Sequence, residues 1–335
     1  MKEKTKKVGA IMKKLFALLV TLGMLLGLCG CAAAGDPSQS YGLILTDDAP
    51  YLEQIRTGFE SAARQQQIPV IVRYAATVEE QLQTIADLKG SIAGLAIRPA
   101  DTTGLKNALN DLSFPVVTID ADTEGGDYYI DHGDPTLCAR AMLDELLTRT
   151  GGGKIAVLGS NRFSGMNAWV NAMKNVIREE KYAGLIWIET VYCDPDAEAA
   201  AAETQALLTK YPDLEAICCP DTNILLGCCR ALEAADTQVW ATGMGNPSTL
   251  KDYVGNHMPC PALFAWDYAR IGQCAFETIH HTASTPLSAD ATAFTGISGT
   301  VYDIKAWSDT KPAVTVGPPA RYDEETITQW IHIFG

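Results

Sequence analysis

Short apolar runs alternate with amphipathic segments along most of this chain, and that alternation restricts its fold more than any other feature. The first four runs are Gly42–Leu45, Val70–Val72, Ile92–Ile97 and Val116–Ile119. Between the first two runs, apolar residues from Leu52 to Ala62 recur at the spacing of one helix face. Because strands that alternate with helices pair in parallel under a helical layer, the pattern predicts an α/β fold.

The same pattern starts again near residue 154, after the Gly-rich turn Gly151-Gly152-Gly153. Its runs are Lys154–Gly159, Leu185–Val191, Ala216–Cys219, Val239–Thr242 and Ala262–Ala265. One sheet with all these strands would exceed an ordinary domain, so we predict two doubly wound parallel-sheet lobes joined by a multi-strand hinge. The predicted first lobe is 41–122 with 268–295, and the second is 127–264 with 300–335. The crossovers are expected near 122–129, 266–268 and 298–303.

The first 30 residues have the three parts of an export signal: a lysine-rich start, an apolar run from Leu15 to Leu28, and small residues at its end. That run is shorter than the roughly 20 residues of a membrane-spanning helix, which favours a cleaved signal peptide. The motif Leu28-Cys29-Gly30-Cys31 resembles the lipobox of bacterial lipoproteins. The resemblance implies lipid attachment at Cys31, with Cys29 as the competing position. Residues 31–40 then form a tether, and the mature protein is extracytoplasmic and held at the membrane by lipid alone.

The charge balance argues against nucleic acid as a partner. The chain has 26 basic and 40 acidic residues, a formal net charge of −14, whereas phosphate binding requires a concentrated basic surface. An export signal also stands where a sugar-responsive repressor would carry its helix-turn-helix.

No catalytic or cofactor signature follows a predicted strand, so we predict a binding protein and not an enzyme, with no cofactor. Cys218-Cys219 and Cys228-Cys229 fit no common zinc spacing and lie in apolar contexts, which indicates buried side chains and no metal. Disulfides cannot be assigned from spacing alone.

Ligands of doubly wound lobes bind at the carboxyl ends of the strands, and polar or aromatic residues cluster there. The candidate ligand-binding residues are Thr46, Asp47, Arg98, Asp120, Asp122, Met166, Asn167, Pro220, Asp221, Asn223, Asn246 and Trp266. Carboxylate, amide and guanidinium groups hydrogen-bond sugar hydroxyls, and an indole covers the apolar face of a sugar ring. Capping of the following helix is the alternative role for each aspartate.

Several segments resemble sugar-type periplasmic binding proteins, in particular the rhamnose and autoinducer-2 receptor branch. They are Pro115–Asp134, Tyr211–Asn223, Gly243–Val254, Phe264–Asp267 and Val316–Tyr322. The resemblance implies ligand contacts for Asp120 and Pro220. Thr46, Gly165-Met166 and Thr222 differ from the lysine, the acid-amide pair and the alanine of the autoinducer-2 receptors. These differences favour another small polyol as the ligand.

The sequence therefore predicts a lipid-anchored solute-binding protein that captures a small sugar or related polyol for the permease of an ABC importer. The alternative is a receptor that presents its bound ligand to a membrane sensor. An enzyme is the less favoured reading.

Overall fold

The computed structural model describes residues 40–160, 164–309 and 311–331. The predicted signal segment, including Cys31, lies outside these residues. None of the helices in the described ranges combines the length and the apolar character that crossing a bilayer requires.

The first lobe is built on an eight-stranded sheet. Strands β1 to β5 are Tyr41–Leu45, Val70–Tyr74, Leu95–Ile97, Val116–Ile119 and Tyr128–Asp131, and the later strands β11 to β13 are Ala293–Thr295, Val301–Ala306 and Pro312–Thr315. Their order across the sheet is β2-β1-β3-β4-β5-β13-β12-β11. β12 pairs antiparallel with both of its neighbours, and the other pairs are parallel.

Helices cover both faces of this sheet. They are α1 (Pro50–Gln65), α2 (Val78–Leu88), α3 (Lys106–Asn110) and α9 (Tyr268–Ser284). Successive residues of β1 point to opposite faces, and both faces are covered: Leu43 and Leu45 belong to the core under α1 and α9, whereas Ile44 belongs to the core under α2 and α3. A strand buried on two sides needs a continuous apolar sequence, which is why β1 reads as an unbroken apolar run.

Local signals from the sequence analysis are confirmed in these helices. Leu52, Ile55 and Phe59 on the predicted face of α1 are completely buried. The predicted capping box begins α2: the Thr77 side chain accepts the Glu80 backbone N–H, and the Glu80 carboxylate accepts the Thr77 backbone N–H.

The second lobe contains a four-stranded parallel sheet and an adjoining antiparallel pair. Strands β6 to β9 are Gly153–Gly159, Leu185–Tyr192, Leu214–Cys219 and Trp240–Gly243, and the pair is β10 (Ala262–Ala265) with β14 (Ala320–Asp323). The parallel order is β7-β6-β8-β9. A bridge between Met244 and Phe264 places β10 beside β9.

The helices of this lobe are α4 (Pro135–Thr150), α5 (Ser164–Val176), α6 (Ala197–Lys210), α7 (Thr222–Ala234), α8 (Pro247–Leu250) and α10 (Ile327–Trp330), with short 3-10 turns at Glu180–Tyr182 and Lys251–Tyr253. Residues of α4 and α5 pack with β6 and β8 in one core, and residues of α6 and α7 pack in another. The predicted α/β fold with two parallel-sheet lobes is thus confirmed.

The strand pairing differs from the predicted lobe boundaries. β5, at 128–131, β12, at 301–306, and β13, at 312–315, belong to the first sheet and not to the second lobe. The chain therefore passes between lobes at 132–134, 266–267 and 316–319, and only the second of these passages matches a predicted crossover. The difference arises because sheet membership depends on pairing with distant strands such as β4 and β13.

The Gly-rich turn does not divide the lobes. Gly151 ends α4 in the left-handed conformation, with φ of 68°, and β6 of the same lobe begins at Gly153. The turn therefore ends α4 in the usual way for glycine, one helix after the first passage between the lobes.

The cysteines of the described ranges are mainly core residues. Cys138, Cys218, Cys219, Cys228, Cys229, Cys260 and Cys274 are buried, and Cys193 is half-buried. Burial raises the pKa of the Cys138 thiol to about 12, so this thiol stays protonated at neutral pH. The predicted burial of the two adjacent cysteine pairs is confirmed.

Candidate functional site

Three predicted residues meet at the carboxyl edge of the first sheet. Arg98 follows β3, and its Nε donates to Oδ2 of Asp120, which follows β4, at 2.7 Å. Arg98 Nη1 donates to the Thr46 hydroxyl, after β1, at 3.1 Å. Burial alone would lower the pKa of Arg98, but the Asp120 carboxylate outweighs it and the pKa is raised. The guanidinium is thus held charged and oriented at the edge of the sheet.

A buried glutamine fixes the loop that carries Arg98. Gln81 of α2 is fully buried, and its amide donates to the backbone carbonyls of Ala75 and Arg98. Its Oε1 accepts the backbone N–H of Ala100 at 3.0 Å. Gln81 is not among the residues predicted for the site, although a glutamine on the apolar face of a predicted helix is a signal of such a positioning role.

The Asp120 backbone is unusual. Its φ is 61°, in the left-handed region, and the Ala121 N–H bonds back to the Ile119 carbonyl at 2.6 Å. Asp tolerates this region better than most residues, at a cost of the order of 1 kcal/mol. The tight turn therefore lies at the residue whose carboxylate binds Arg98.

Two tyrosines line the same region. Tyr51, near the start of α1, and Tyr268, the first residue of α9, have ring centroids 5.2 Å apart. Burial, with the nearby Asp120 carboxylate, raises the pKa of Tyr268 to about 12. Both phenols stay protonated at neutral pH and can act as neutral hydrogen-bonding groups.

A second aromatic group lies at the passages between the lobes. Trp266 is half-buried, with its ring 5.1 Å from that of His132 and 6.1 Å from that of Trp169 on α5. His132 belongs to the first passage and Trp266 to the second. The predicted Trp266 thus stands beside the hinge, in an aromatic cluster with His132 and Trp169.

The polar residues predicted on the second lobe cap helices. The Asp221 carboxylate accepts the backbone N–H groups of Asn223 and Ile224, at 2.9 and 3.0 Å. Asn246 caps α8 in the same way. The Asn223 side chain donates to the Pro195 carbonyl at 3.3 Å, and Pro220 is buried. The cap of Asp221 uses one oxygen of its carboxylate, Oδ1.

Comparison with known proteins identifies the family. A family model described as a periplasmic binding protein domain matches residues 43–284. The chain belongs to the periplasmic binding protein family. The prediction of a binding protein and not an enzyme agrees with this membership.

Solved structures of periplasmic binding proteins share the fold. A sugar ABC transporter protein from Actinomyces odontolyticus is 26% identical, with a TM-score of 0.71, and the match covers 88% of this chain and 98% of that one. An ABC transporter solute-binding protein from Clostridium phytofermentas, solved with bound L-rhamnose, is 25% identical with a TM-score of 0.54, covering 89% and 99%. LsrB from Clostridium saccharobutylicum, in complex with AI-2, is 20% identical with a TM-score of 0.52, covering 87% and 99%, and shows the fold.

In this binding protein Asp122 is separated from the Arg98 cluster by its partners. Lys311 Nζ lies 2.5 Å from Asp122 Oδ1, and Trp307 Nε1 donates to Oδ2 at 2.7 Å. The Thr118 hydroxyl donates to Oδ1 at 2.7 Å. Lys311 is only 4% exposed and also donates to two backbone carbonyls. Asp122 therefore neutralises a buried lysine, and we exclude it from the proposed site.

The remaining predicted residues differ in how the structure places them. Asp47 is exposed and accepts the Ala49 N–H ahead of α1 at 2.8 Å and the Thr46 hydroxyl at 3.1 Å. The side chains of Met166 and Asn167 lie outside the described residues. The structure thus brings Thr46, Arg98 and Asp120 together, with Asp47 at their margin.

The chemistry of the assembled cluster is that of a neutral hydrogen-bonding site. Arg98 carries one positive charge and Asp120 one negative charge, and the phenols and hydroxyl nearby are uncharged. A ligand without net charge meets donors and acceptors there, with the exposed Asp47 carboxylate at the margin of the cluster.

Proposed function

We propose that this protein is an extracytoplasmic solute-binding protein that captures a small neutral sugar or polyol between its lobes and delivers it to an ABC importer. The observation that carries the proposal is the Arg98–Asp120 pair at the carboxyl edge of the first sheet, close to aromatic side chains at the hinge. Hydroxyl groups donate to Asp120 and accept from Arg98, and the Trp266 indole covers a ring face.

The relatives support a sugar as the ligand class. One relative at 25% identity was solved with L-rhamnose, and one at 26% is a sugar ABC transporter protein. The residues implied by resemblance, Asp120 and Pro220, stand at strand ends in separate lobes. Thr46 has a neutral hydroxyl, which accepts from Arg98, where the autoinducer-2 receptors have a lysine. This difference favours a different polyol as the ligand.

A thermal-shift screen tests the proposal. Wild-type protein is heated with L-rhamnose, L-arabinose, D-ribose, D-glucose, glycerol and autoinducer-2, and at least one sugar should raise the melting temperature. A ligand at 100 times its Kd stabilises the folded state by about 2.7 kcal/mol, which is easily measured. No shift with any member at millimolar concentration would contradict the proposed ligand class.

Calorimetry then locates the site. Asp120→Ala removes a charged acceptor, worth roughly 1.5–3 kcal/mol, and should weaken binding of the best sugar about 10- to 150-fold. Trp266→Ala should also weaken it through loss of ring contact. If both variants bind like wild type, the sugar does not occupy this cluster.

We also propose that Cys31 carries the lipid anchor, because Gly30 supplies the small residue before it. Cys31→Ser should move the protein from the membrane fraction to the supernatant. Two acyl chains on Cys31 give stable attachment to the membrane, and the variant carries no acyl chain. Cys29→Ser is the matched control and should stay with membranes. The reverse result would assign the anchor to Cys29.

A further inference from the structure

His132 occupies a position that joins the hinge to the proposed site. It is the first residue after β5, where the chain leaves the first sheet, and α4 of the second lobe begins at Pro135. Its ring stands edge-on to Trp266, at an interplanar angle of 82°. Two of the three passages between lobes thus touch through these two rings.

The imidazole has an unused hydrogen-bonding atom. Nδ1 of His132 is buried and has no hydrogen-bond partner among the described residues. Buried polar groups in native proteins are almost always hydrogen-bonded, and leaving one unpaired is destabilising. A ligand hydroxyl beside Trp266 is a group that can satisfy this nitrogen.

The charged groups around the ring are already paired. Asp120 after β4 binds Arg98, and Asp131 at the end of β5 binds Lys305 of β12 at 2.5 Å. Asp134, the cap of α4, binds the same lysine at 2.6 Å. Burial lowers the pKa of His132, and Asp120 and Asp131 offset that shift only in part. The imidazole is therefore neutral at pH 7, with a lone pair available on one nitrogen.

We propose that His132 is a ligand-binding residue whose neutral imidazole accepts a hydroxyl hydrogen bond at Nδ1, and that protonation of this ring weakens capture of the sugar. The inference rests on the proposed function and adds a residue and a pH response to the same site. A bound sugar covers the ring and removes it further from water, which disfavours the charged imidazolium.

The sign of the pH response follows from linkage. Because the bound state favours neutral His132, affinity is full above the pKa of the free protein and falls as the pH drops through it. That pKa lies below the ordinary value of 6.5. Sugar affinity should therefore be constant above pH 7 and lower at pH 5.0 than at pH 7.5.

Calorimetry at pH 7.5 and pH 5.0 tests the inference, with the compound that best stabilises wild type in the screen of L-rhamnose, L-arabinose, D-ribose, D-glucose, glycerol and autoinducer-2. His132→Leu, which has no polar atom, should weaken binding at pH 7.5 at least about fivefold. His132→Asn, which places an amide near the Nδ1 position, should bind within about threefold of wild type and lose the pH dependence. His257→Leu is the matched control, since His257 is an exposed histidine of the second lobe.

The outcomes separate this inference from the proposed function. Unchanged affinity in His132→Leu, with wild type and Trp266→Ala behaving as expected, overturns the role of His132 alone. A His132→Asn variant as sensitive to pH as wild type overturns it too, and decides the matter if His132→Leu fails to fold. Failure of wild type to bind any of the six screened compounds overturns both proposals.

Discussion

At the scale of single residues, two aspartates two positions apart have opposite roles. Asp120 lies in a left-handed turn and holds Arg98, whereas Asp122 holds the buried Lys311. Burial lowers the pKa of Lys311, although Asp122 acts to raise it, so the lysine depends on this carboxylate to stay charged. Both residues are aspartates that closely follow β4, so their roles are distinguished by their partners alone.

Replacement of Asp122 should therefore affect stability and spare binding. Asp122→Ala leaves a buried ammonium without its counter-charge, and breaking such a pair costs roughly 3–5 kcal/mol of the free energy of unfolding. Urea unfolding measures that loss, and calorimetry should show a sugar Kd close to that of wild type. A large loss of affinity with normal stability would return Asp122 to the ligand site.

At the scale of elements, α1 and α9 approach each other through glycines. A Cβ atom on Gly272 of α9 would lie 1.9 Å from the Ile55 carbonyl oxygen, and one on Gly58 of α1 would lie 1.8 Å from that of Ala269. The two backbones are thus too close for any side chain at these positions. This contact fixes α9, and with it Tyr268, against the first sheet.

Gly272→Ala should consequently destabilise the first lobe. Overpacking a tight contact lowers the free energy of unfolding by about 1–3 kcal/mol. Because the backbone itself must move at Gly272, we expect a loss in the upper part of that range. The melting temperature should fall by several degrees. Gly90→Ala is the control, because a Cβ there meets no atom within 4 Å. Equal melting temperatures for the two variants would show that the helices separate without cost.

At the scale of the whole molecule, three passages connect the lobes, and side-chain contacts are made at each of these passages. Lys305 binds Asp131 and Asp134 across the first passage, and His132 touches Trp266 of the second. Arg270 Nη2 donates to the Val316 carbonyl of the third at 3.2 Å. Short passages of this kind concentrate bending in a few residues. Periplasmic binding proteins are a standard example of domains that close around a ligand by such a hinge.

Closure around a sugar should be visible in solution. Binding that uses contacts from both lobes shifts the population toward the closed form, so the radius of gyration from small-angle X-ray scattering should decrease at saturating sugar. Trp266→Ala at the same sugar concentration should decrease less. An unchanged radius in wild type at saturation would indicate that the ligand binds to one lobe only.

The sequence by itself determined the features that depend on neighbours along the chain. Apolar periodicity predicted α1 and most of the strands, and Thr77 with Glu80 predicted the start of α2. These predictions succeeded because helix faces and caps involve residues three or four positions apart. Placement of Arg98 and Asp120 at one edge also followed, since parallel strands end together.

Only the tertiary structure decided what depends on distant partners. Pairing with β4 and β13 placed β5 in the first sheet, and this moved the first passage to His132. Lys311 reaches Asp122 across 189 positions of sequence, which no local pattern encodes. Gln81 and Trp266 likewise gain their roles from groups that folding brings beside them. Hydrogen bonds and ion pairs select partners by distance in space, so the same aspartate can bind a ligand or a lysine.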